Sequence, residues 1–161
     1  MTEERSDADV LEMERDIRAA PERVFRALTE PEELLEWWGK RGTMIRAENE
    51  RRPGGRYRFE FRLPDGGTAV LTGEYRVFDP PRRIVKTWNN SMFPDVPNVV
   101  EFSLEPIPGG TRLKLRHSGL AATPAARADY ENGWIGVFGQ LIAWLAIVAA
   151  TAAASQAASS D

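Results

Sequence analysis

Residues 56–78, RYRFEFRLPDGGTAVLTGEYRVF, contain the clearest structural pattern in the sequence. The first part of this stretch alternates, with Tyr57, Phe59 and Phe61 on one face and arginine or glutamate on the other. That period of two is typical of a strand with one buried face. The turn sequence PDGG at 64–67 then interrupts the alternation, and residues 69–78 can run back beside the first strand. The stretch therefore predicts a β-hairpin with one apolar and one charged face.

Working outward from this hairpin, the same period recurs in short segments on both sides. These segments predict further strands at residues 13–19, 43–50, 83–88, 99–104 and 111–117. Residues 89–98 contain two prolines and are interpreted as a loop. Short turns join most of the strands, which favours an antiparallel meander over crossover units. A long helix beginning near Ala125 is the predicted element large enough to cover the apolar face of such a sheet.

Two short helices are predicted between the first two strands. Pro21 suits a first helical position, and Val24, Phe25 and Leu28 follow it at helical spacing. Pro31 starts the second helix, PEELLEWW, which ends near a pair of glycines. The chain therefore predicts an α+β fold: a curved antiparallel sheet of six to seven strands, two short helices after the first strand and a long C-terminal helix.

The length and composition indicate one globular domain. A chain of 161 residues, 42% hydrophobic and 28% charged, is large enough for one core and ordinary in its polarity. We place a single domain at residues 11–150. We interpret residues 1–10 as a disordered tail and residues 151–161 as an Ala/Ser-rich tail.

Charge and residue usage exclude several classes of function. The net charge is -3 with both signs interspersed, so no basic field favours a nucleic acid partner. The chain has no cysteine and one histidine, which leaves no ligands for a usual zinc site, and we expect no metal and no cofactor. Residues 1–9 lack the pattern of a secretory signal. We therefore expect a cytoplasmic protein.

Three stretches resemble a known family. They are IRAAPERVFRALTEPEELLEWWG at 17–39, GEYRVFDPPRRIVKTW at 73–88, and GGTRLKLRHSGL at 109–120 with the later Gly133-Trp134 pair. In this order they resemble the activator-of-Hsp90-ATPase homologue-like family, within the START-like superfamily that includes the birch pollen allergen. Lys86 departs from the family pattern, in which this position is often aromatic or aliphatic. The resemblance implies a helix-grip fold with a cavity between the sheet and the C-terminal helix.

The resemblance leaves several functions open, because the superfamily includes lipid carriers, polyketide cyclases and aromatases, hormone receptors and co-chaperone domains. No nucleophile elbow, phosphate loop, dinucleotide fingerprint or metal motif appears in the sequence. No residue is therefore assigned a catalytic role. We predict that the cavity binds a small hydrophobic molecule. The alternatives are an enzyme of the cyclase or aromatase type using the same pocket, and an interaction domain that activates a chaperone ATPase.

The predicted ligand-binding residues share the apolar side of the strands or the inner side of a helix. They are Trp38, Tyr57, Phe59, Phe61, Phe102, Leu115, His117, Trp134, Phe138 and Leu141. Aromatic side chains of this kind can line a pocket or simply fill a core. The strand carboxylates Glu60 and Glu101 fall on the opposite face, where we expect them to be solvated.

His117 is the polar member of this set. Its alternation with Leu113 and Leu115 directs it toward the apolar face. A histidine there can form a hydrogen bond with a ligand or act as a general acid or base. It can equally be a core histidine that bonds to a backbone group at the end of a strand, and the sequence leaves both interpretations open.

The C-terminal helix is apolar on more than one side, and no charged residue occurs at 132–160. A stripe at helical spacing is predicted to face the sheet: Trp134, Val137, Phe138, Leu141, Leu145 and Val148. The other side carries Ile135, Gln140, Ile142, Trp144 and Ile147. An exposed apolar patch usually marks an interface, so we predict a homodimer through this helix. Membrane contact is less favoured, because the fold needs the helix as its core.

Overall fold

The computed structural model describes residues 9–39, 43–94, 98–121 and 124–159. Seven strands form one antiparallel sheet. They are β1 (Leu11–Ile17), β2 (Met44–Asn49), β3 (Arg56–Arg62), β4 (Thr68–Asp79), β5 (Arg83–Asn90), β6 (Asn98–Ile107) and β7 (Gly110–Ser118). The helices are α1 (Pro21–Thr29), α2 (Pro31–Leu34) and α3 (Pro124–Ser159), and α2 continues as a π-helical turn over Leu35–Gly39.

The sheet follows chain order except at one edge. From edge to edge the strands run β1-β7-β6-β5-β4-β3-β2, so β2 to β7 form the predicted meander and β1 pairs with β7. β5 is the central strand. Register shifts occur between β2 and β3 and between β4 and β5, and such bulges bend a strand and increase its twist.

Gly73 allows close packing on the apolar face of the sheet. A Cβ atom at this position would lie 2.0 Å from the Thr87 carbonyl oxygen and 2.6 Å from the Tyr57 ring. The Tyr57 hydroxyl donates a hydrogen bond of 2.5 Å to that same carbonyl oxygen. The missing side chain thus lets the Tyr57 ring lie across β4 and reach β5.

The two faces of the sheet have the predicted division of polarity. Apolar side chains of β3, β6 and β7 are buried on one face. The other face carries ion pairs, among them Lys114–Glu105 at 2.9 Å and Arg83–Glu101 at 2.8 Å. Glu60 and Glu101 lie on this outer face in partly exposed pairs with arginines, as expected for strand carboxylates outside the pocket.

Helix α3 supplies the core for the apolar face. Trp134, Phe138, Leu141 and Leu145 are buried at the spacing predicted for its inner stripe. The short helices complete the core with Val24, Phe25, Leu34 and Trp37 among their buried residues. The prediction of an α+β helix-grip fold is therefore confirmed.

Some boundaries differ from those inferred from the sequence. β5 continues to Asn90, two residues into the predicted loop, because its last residues pair with Leu71 and Thr72 on the long strand β4. Residues 95–97 of that loop and residues 1–8 of the N-terminal tail lie outside the described residues. α3 continues to Ser159 through the alanine-rich segment, whose composition favours helix.

The C-terminal part of α3 extends away from the core. Residues 149–158 are all exposed, whereas the inner stripe further up the helix is buried. Among the described residues, α3 is long and apolar enough to cross a bilayer, with a mean hydropathy of 2.0 over 18 residues. Only 17% of that stretch is buried, because the buried stripe covers one side of α3 and leaves the rest of the helix exposed.

Candidate ligand-binding cavity

A cavity of about 650 Å³ lies between the sheet and α3. This volume is within the range typical of small-molecule sites. Its described lining is mostly apolar and aromatic. The side chains that form it include Trp38, Phe61, Leu71, Trp88, Phe93, Tyr130, Trp134 and Val137.

Glycines on α3 help to keep this space open. Gly133 and Gly136 both line the cavity, and a Cβ atom added to either would meet nothing within 4 Å. Large side chains at these two positions would therefore project into unoccupied space. Asp129 and Asn132 of the same helix also line the cavity, and both are exposed, so the polar part of the lining includes its solvent side.

Trp88 is the centre of the aromatic wall. Its ring centroid lies 5.3 Å from that of Trp134, 5.4 Å from that of His117 and 6.2 Å from that of Tyr130. These separations and tilted or edge-to-face angles are those of favourable aromatic pairs. Side chains of β7 and α3 thus contact the same residue of β5, Trp88.

His117 is held by two hydrogen bonds. The Trp134 Nε1–H donates to His117 Nδ1 at 3.1 Å, and His117 Nε2 lies 2.9 Å from Asn98 Oδ1. Because an indole nitrogen can only donate, Nδ1 is the acceptor and the ring proton is on Nε2, which donates to Asn98. Burial lowers the pKa of His117 to about 3. The geometry is that of a neutral core histidine with both nitrogens occupied.

Two other polar groups of the lining are paired less well. The Trp88 Nε1–H and the Tyr130 hydroxyl are buried, and neither forms a hydrogen bond of standard geometry with the described residues. Burial raises the pKa of Tyr130, and weaker hydrogen-bond contacts with the Trp88 and Asn90 side chains offset part of this rise. Buried polar groups are normally hydrogen-bonded, so the cavity wall offers two polar groups to an incoming molecule.

Lys86 is a buried residue that sequence reasoning noted only as a departure from the family. It shares the apolar face with Ile84 and Trp88 and is 5% exposed. Its Nζ lies within 6 Å of five aromatic rings: those of Tyr57 at 4.5 Å, Phe59 at 5.2 Å, Trp88 at 5.6 Å, Phe102 at 5.8 Å and Tyr75 at 5.9 Å. Burial lowers the pKa of Lys86 to about 7. In the sequence, the alternation of Lys86 with Ile84 and Trp88 was the pattern that could have placed it on the apolar face.

The ten residues predicted from the sequence fall into three groups. Trp38, Phe61 and Trp134 line the cavity. Tyr57, Phe59 and Phe102 surround the Lys86 amine instead. The remaining four are buried in the core and are absent from the described lining: Leu115, His117, Phe138 and Leu141.

Several cavity residues were missed by the sequence analysis. Leu71 and Trp88 lie on strands that were predicted, but neither was assigned to the site. Phe93 belongs to the segment interpreted as a loop, and Tyr130 precedes the predicted helix stripe by one turn. No group of three or more potential metal ligands occurs among the described residues.

A sheet that grips a C-terminal helix around an apolar cavity defines the class of helix-grip, START-like proteins. The family assignment agrees with this class. The model of the activator of Hsp90 ATPase homolog 1-like proteins matches residues 18–146. The chain belongs to this family, as the three sequence stretches predicted.

Solved structures of similar proteins extend the comparison. A protein from Rhodobacter sphaeroides is 28% identical, with a TM-score of 0.75 over 87% of this chain and 93% of its own. A protein from Mesorhizobium loti is 29% identical, with a TM-score of 0.69 over 84% of this chain and 96% of its own. Among curated proteins, none matches this sequence.

More distant structures share the fold alone. An Hsp90 activator from Plasmodium falciparum is 22% identical, with a TM-score of 0.64 over 78% of this chain and 87% of its own. DynU16, a protein of the dynemicin biosynthetic locus, is 20% identical, with a TM-score of 0.70 over 85% of this chain and 47% of its own. The same fold therefore occurs in proteins with different described roles.

Proposed function

We propose that this protein is a cytoplasmic binding protein for a small, largely hydrophobic molecule, held in the cavity between the sheet and α3. The observation that carries the proposal is an apolar cavity of about 650 Å³ whose wall includes two buried polar groups without well-formed hydrogen bonds. The apolar lining favours a hydrophobic body. The Trp88 N–H and the Tyr130 hydroxyl would fix its orientation.

Binding is favoured over catalysis by the state of His117. This residue was the candidate general acid or base, and both of its ring nitrogens are engaged by Asn98 and Trp134. Its lowered pKa leaves it neutral at physiological pH. A cyclase or aromatase using the same cavity would therefore have to rely on other groups.

The direct test is native mass spectrometry of the freshly purified protein, followed by titration with an environment-sensitive naphthalene dye. We expect a bound apolar molecule or dye binding with a blue-shifted emission. The variant Gly136→Leu should weaken dye binding about tenfold or more, because its side chain enters the cavity. Binding that is unchanged in this variant would contradict the assignment of the site.

Gly139→Leu is the matched control for Gly136→Leu. Gly139 belongs to the same helix, also has open space at its Cβ, and is not part of the described lining. Replacing either glycine should favour the helix by up to about 1 kcal/mol. Both variants should therefore be at least as stable as the natural protein, and only Gly136→Leu should lose dye binding.

A second candidate function is an interaction with an Hsp90-type chaperone. The description of the family favours it. Exposed apolar side chains that could contribute to a contact are Ile45, Met92, Ile135 and Ile147. The test is the ATPase rate of the chaperone with equimolar protein, and an unchanged rate would remove this candidate.

Self-association through the outer side of α3 is part of the proposal. Ile135 and Ile147 are 48% and 51% exposed on this helix. Trp144 is partly covered by the Arg23 guanidinium, 5.0 Å from its ring centroid, which reduces the apolar area available. Native mass spectrometry reports the oligomer directly, and a monomer at micromolar concentration would contradict a homodimer.

A further inference from the structure

Lys86 lies in the middle of the apolar face, and the described part of the chain provides no counter-ion for it. It lies opposite Tyr75 on β4 and opposite Val100 on β6, with β5 central in the sheet. Among the described residues, no hydrogen bond and no charged group contributes to the pKa of its amine, which burial alone lowers. Its contacts are the aromatic rings around it.

The fold alone gives no reason for a lysine at this position. Burying an ammonium group is strongly unfavourable unless it is paired and hydrogen-bonded. The surrounding rings offer cation–π attraction, which offsets part of the loss of solvation. A methionine or leucine would fill the same space among these rings without any such loss. A function outside folding therefore accounts best for the amine.

Lys86 and Trp88 are neighbouring hydrogen-bond donors at the edge of the cavity. Lys86 itself is absent from the described lining and lies behind Trp88. Trp88 lines the cavity, and its ring centroid is 5.6 Å from the Lys86 Nζ. An ammonium group and an indole nitrogen can only donate hydrogen bonds, whereas a carboxylate only accepts them and has about four lone-pair positions. The Tyr130 hydroxyl, beside Trp88, is a further donor without a hydrogen bond of standard geometry.

We propose that the cavity binds a hydrophobic molecule with one carboxylate, and that Lys86 and Trp88 bind this carboxylate. The inference rests on the proposed function and names the class of ligand. The apolar body lies among Phe61, Leu71 and Val137, which line the cavity. The carboxylate lies at the Trp88 indole, and the flexible Lys86 side chain extends to meet it.

The charged and titratable groups around this site allow a pH test. Tyr57 of β3 and Tyr75 of β4 face the amine, and burial raises the pKa of both. On α3, Tyr130 also has a raised pKa, and Asp129 lines the cavity from an exposed position. None of the tyrosines loses its proton between pH 7 and 9. In the same range the Lys86 amine, with its pKa lowered by burial to about 7, becomes neutral.

The experiment compares probes that share one chain and differ in the head group. Decanoic acid, decan-1-ol and decylamine are titrated by isothermal calorimetry and by displacement of the naphthalene dye. Decanoic acid should bind about 30-fold more tightly than the alcohol at pH 7, because charge-assisted hydrogen bonds are added. Its affinity should fall about tenfold or more between pH 7 and 9, while that of the alcohol stays constant.

Lys86→Met should remove the preference for the acid and its dependence on pH, and should leave decan-1-ol binding within about twofold. Lys114→Met is the matched control, since Lys114 pairs with Glu105 on the outer face. It should bind decanoic acid as the natural protein does. Trp88→Phe provides a second variant that keeps Lys86, and it should weaken acid binding about fivefold with less effect on the alcohol.

The outcomes separate this inference from the proposed function. Equal binding of acid and alcohol, or an acid preference that survives in Lys86→Met, would overturn the role of Lys86 and leave the cavity as a general hydrophobic site. Failure of all three probes to bind would overturn both proposals. Tighter binding of decylamine than of decanoic acid would also overturn the carboxylate site.

Discussion

The regions around His117 and Lys86 make opposite use of a buried basic side chain. Both residues lie on the apolar face of the sheet, and burial lowers the pKa of each, to about 3 for His117 and to about 7 for Lys86. His117 is bonded to Asn98 and Trp134. Lys86 is surrounded by aromatic rings and has no acceptor among the described residues.

The difference shows which buried polar group serves the fold. The imidazole of His117 links β6, β7 and α3 through its two hydrogen bonds, so it stabilises the packing of the helix on the sheet. The amine of Lys86 makes no such link and loses its solvation. We expect substitutions at these two positions to change stability in opposite directions.

The largest expected effect is that of His117→Ala. The change leaves Asn98 Oδ1 and Trp134 Nε1 without this partner and creates a void in the core. Each of these losses is typically worth 1–3 kcal/mol, and we expect the free energy of unfolding to fall by about 4 kcal/mol. Urea denaturation followed by tryptophan fluorescence measures it. A loss below about 1 kcal/mol would show that His117 does not stabilise the packing of α3.

Lys86→Met should act in the opposite direction. An unpaired buried ammonium is replaced by an apolar side chain of similar length, and we expect a gain of about 2 kcal/mol in the free energy of unfolding at pH 7. Lys114→Met, at the outer face, should change it by less than about 1 kcal/mol. A loss of stability in Lys86→Met would mean that the ammonium is paired in the folded protein.

The dependence of stability on pH sharpens the second prediction. The pKa of Lys86 is lowered from 10.5 in the unfolded chain to about 7 in the folded one, so between these values the unfolded chain binds the extra proton. The contribution of Lys86 to stability therefore rises with pH from 7 to 10.5, by about 1.4 kcal/mol per unit. Denaturation between pH 7 and 9.5, below the titration of the tyrosines, should show this slope in the natural protein. Lys86→Met should lack it, and equal slopes would contradict the assigned shift.

His117 gives the corresponding effect at lower pH. Its pKa is lowered from 6.5 to about 3, so its contribution to stability is complete above pH 6.5 and is lost as the pH falls toward 3. The two basic groups thus change the stability of the protein in separate pH ranges, His117 below pH 6.5 and Lys86 above pH 7. This separation allows their contributions to be measured in one protein.

The smallest expected effect is that of Tyr130→Phe. The Tyr130 hydroxyl is buried and has no hydrogen bond of standard geometry with the described residues, so removing it should change the free energy of unfolding by less than about 0.5 kcal/mol. Thermal unfolding of the variant beside the natural protein measures this. A loss above about 1.5 kcal/mol would show that the hydroxyl has a structural partner.

The candidate site was predicted less completely than the fold. Alternation correctly placed Tyr57, Phe59 and Phe61 on the apolar face. It could not distinguish Phe61, which lines the cavity, from Phe59, which packs against the Lys86 amine. Residues on one face of a strand show the same alternation whether they line a cavity or pack in the core. For the same reason, alternation did not identify Trp88 as a lining residue, since its contacts come from β7 and α3.

The sequence by itself determined the order of the elements, the polarity of each face and the family, because periodicity, turn residues and local motifs are properties of neighbouring positions. Only the tertiary structure decided which buried polar groups are paired. Asn98 reaches His117 from the neighbouring strand β6, and Trp134 reaches it from α3, 17 residues further along the chain. Among the described residues Lys86 has no acceptor, and the aromatic rings that remove its solvation come from strands β3 to β6, which meet only when the sheet forms.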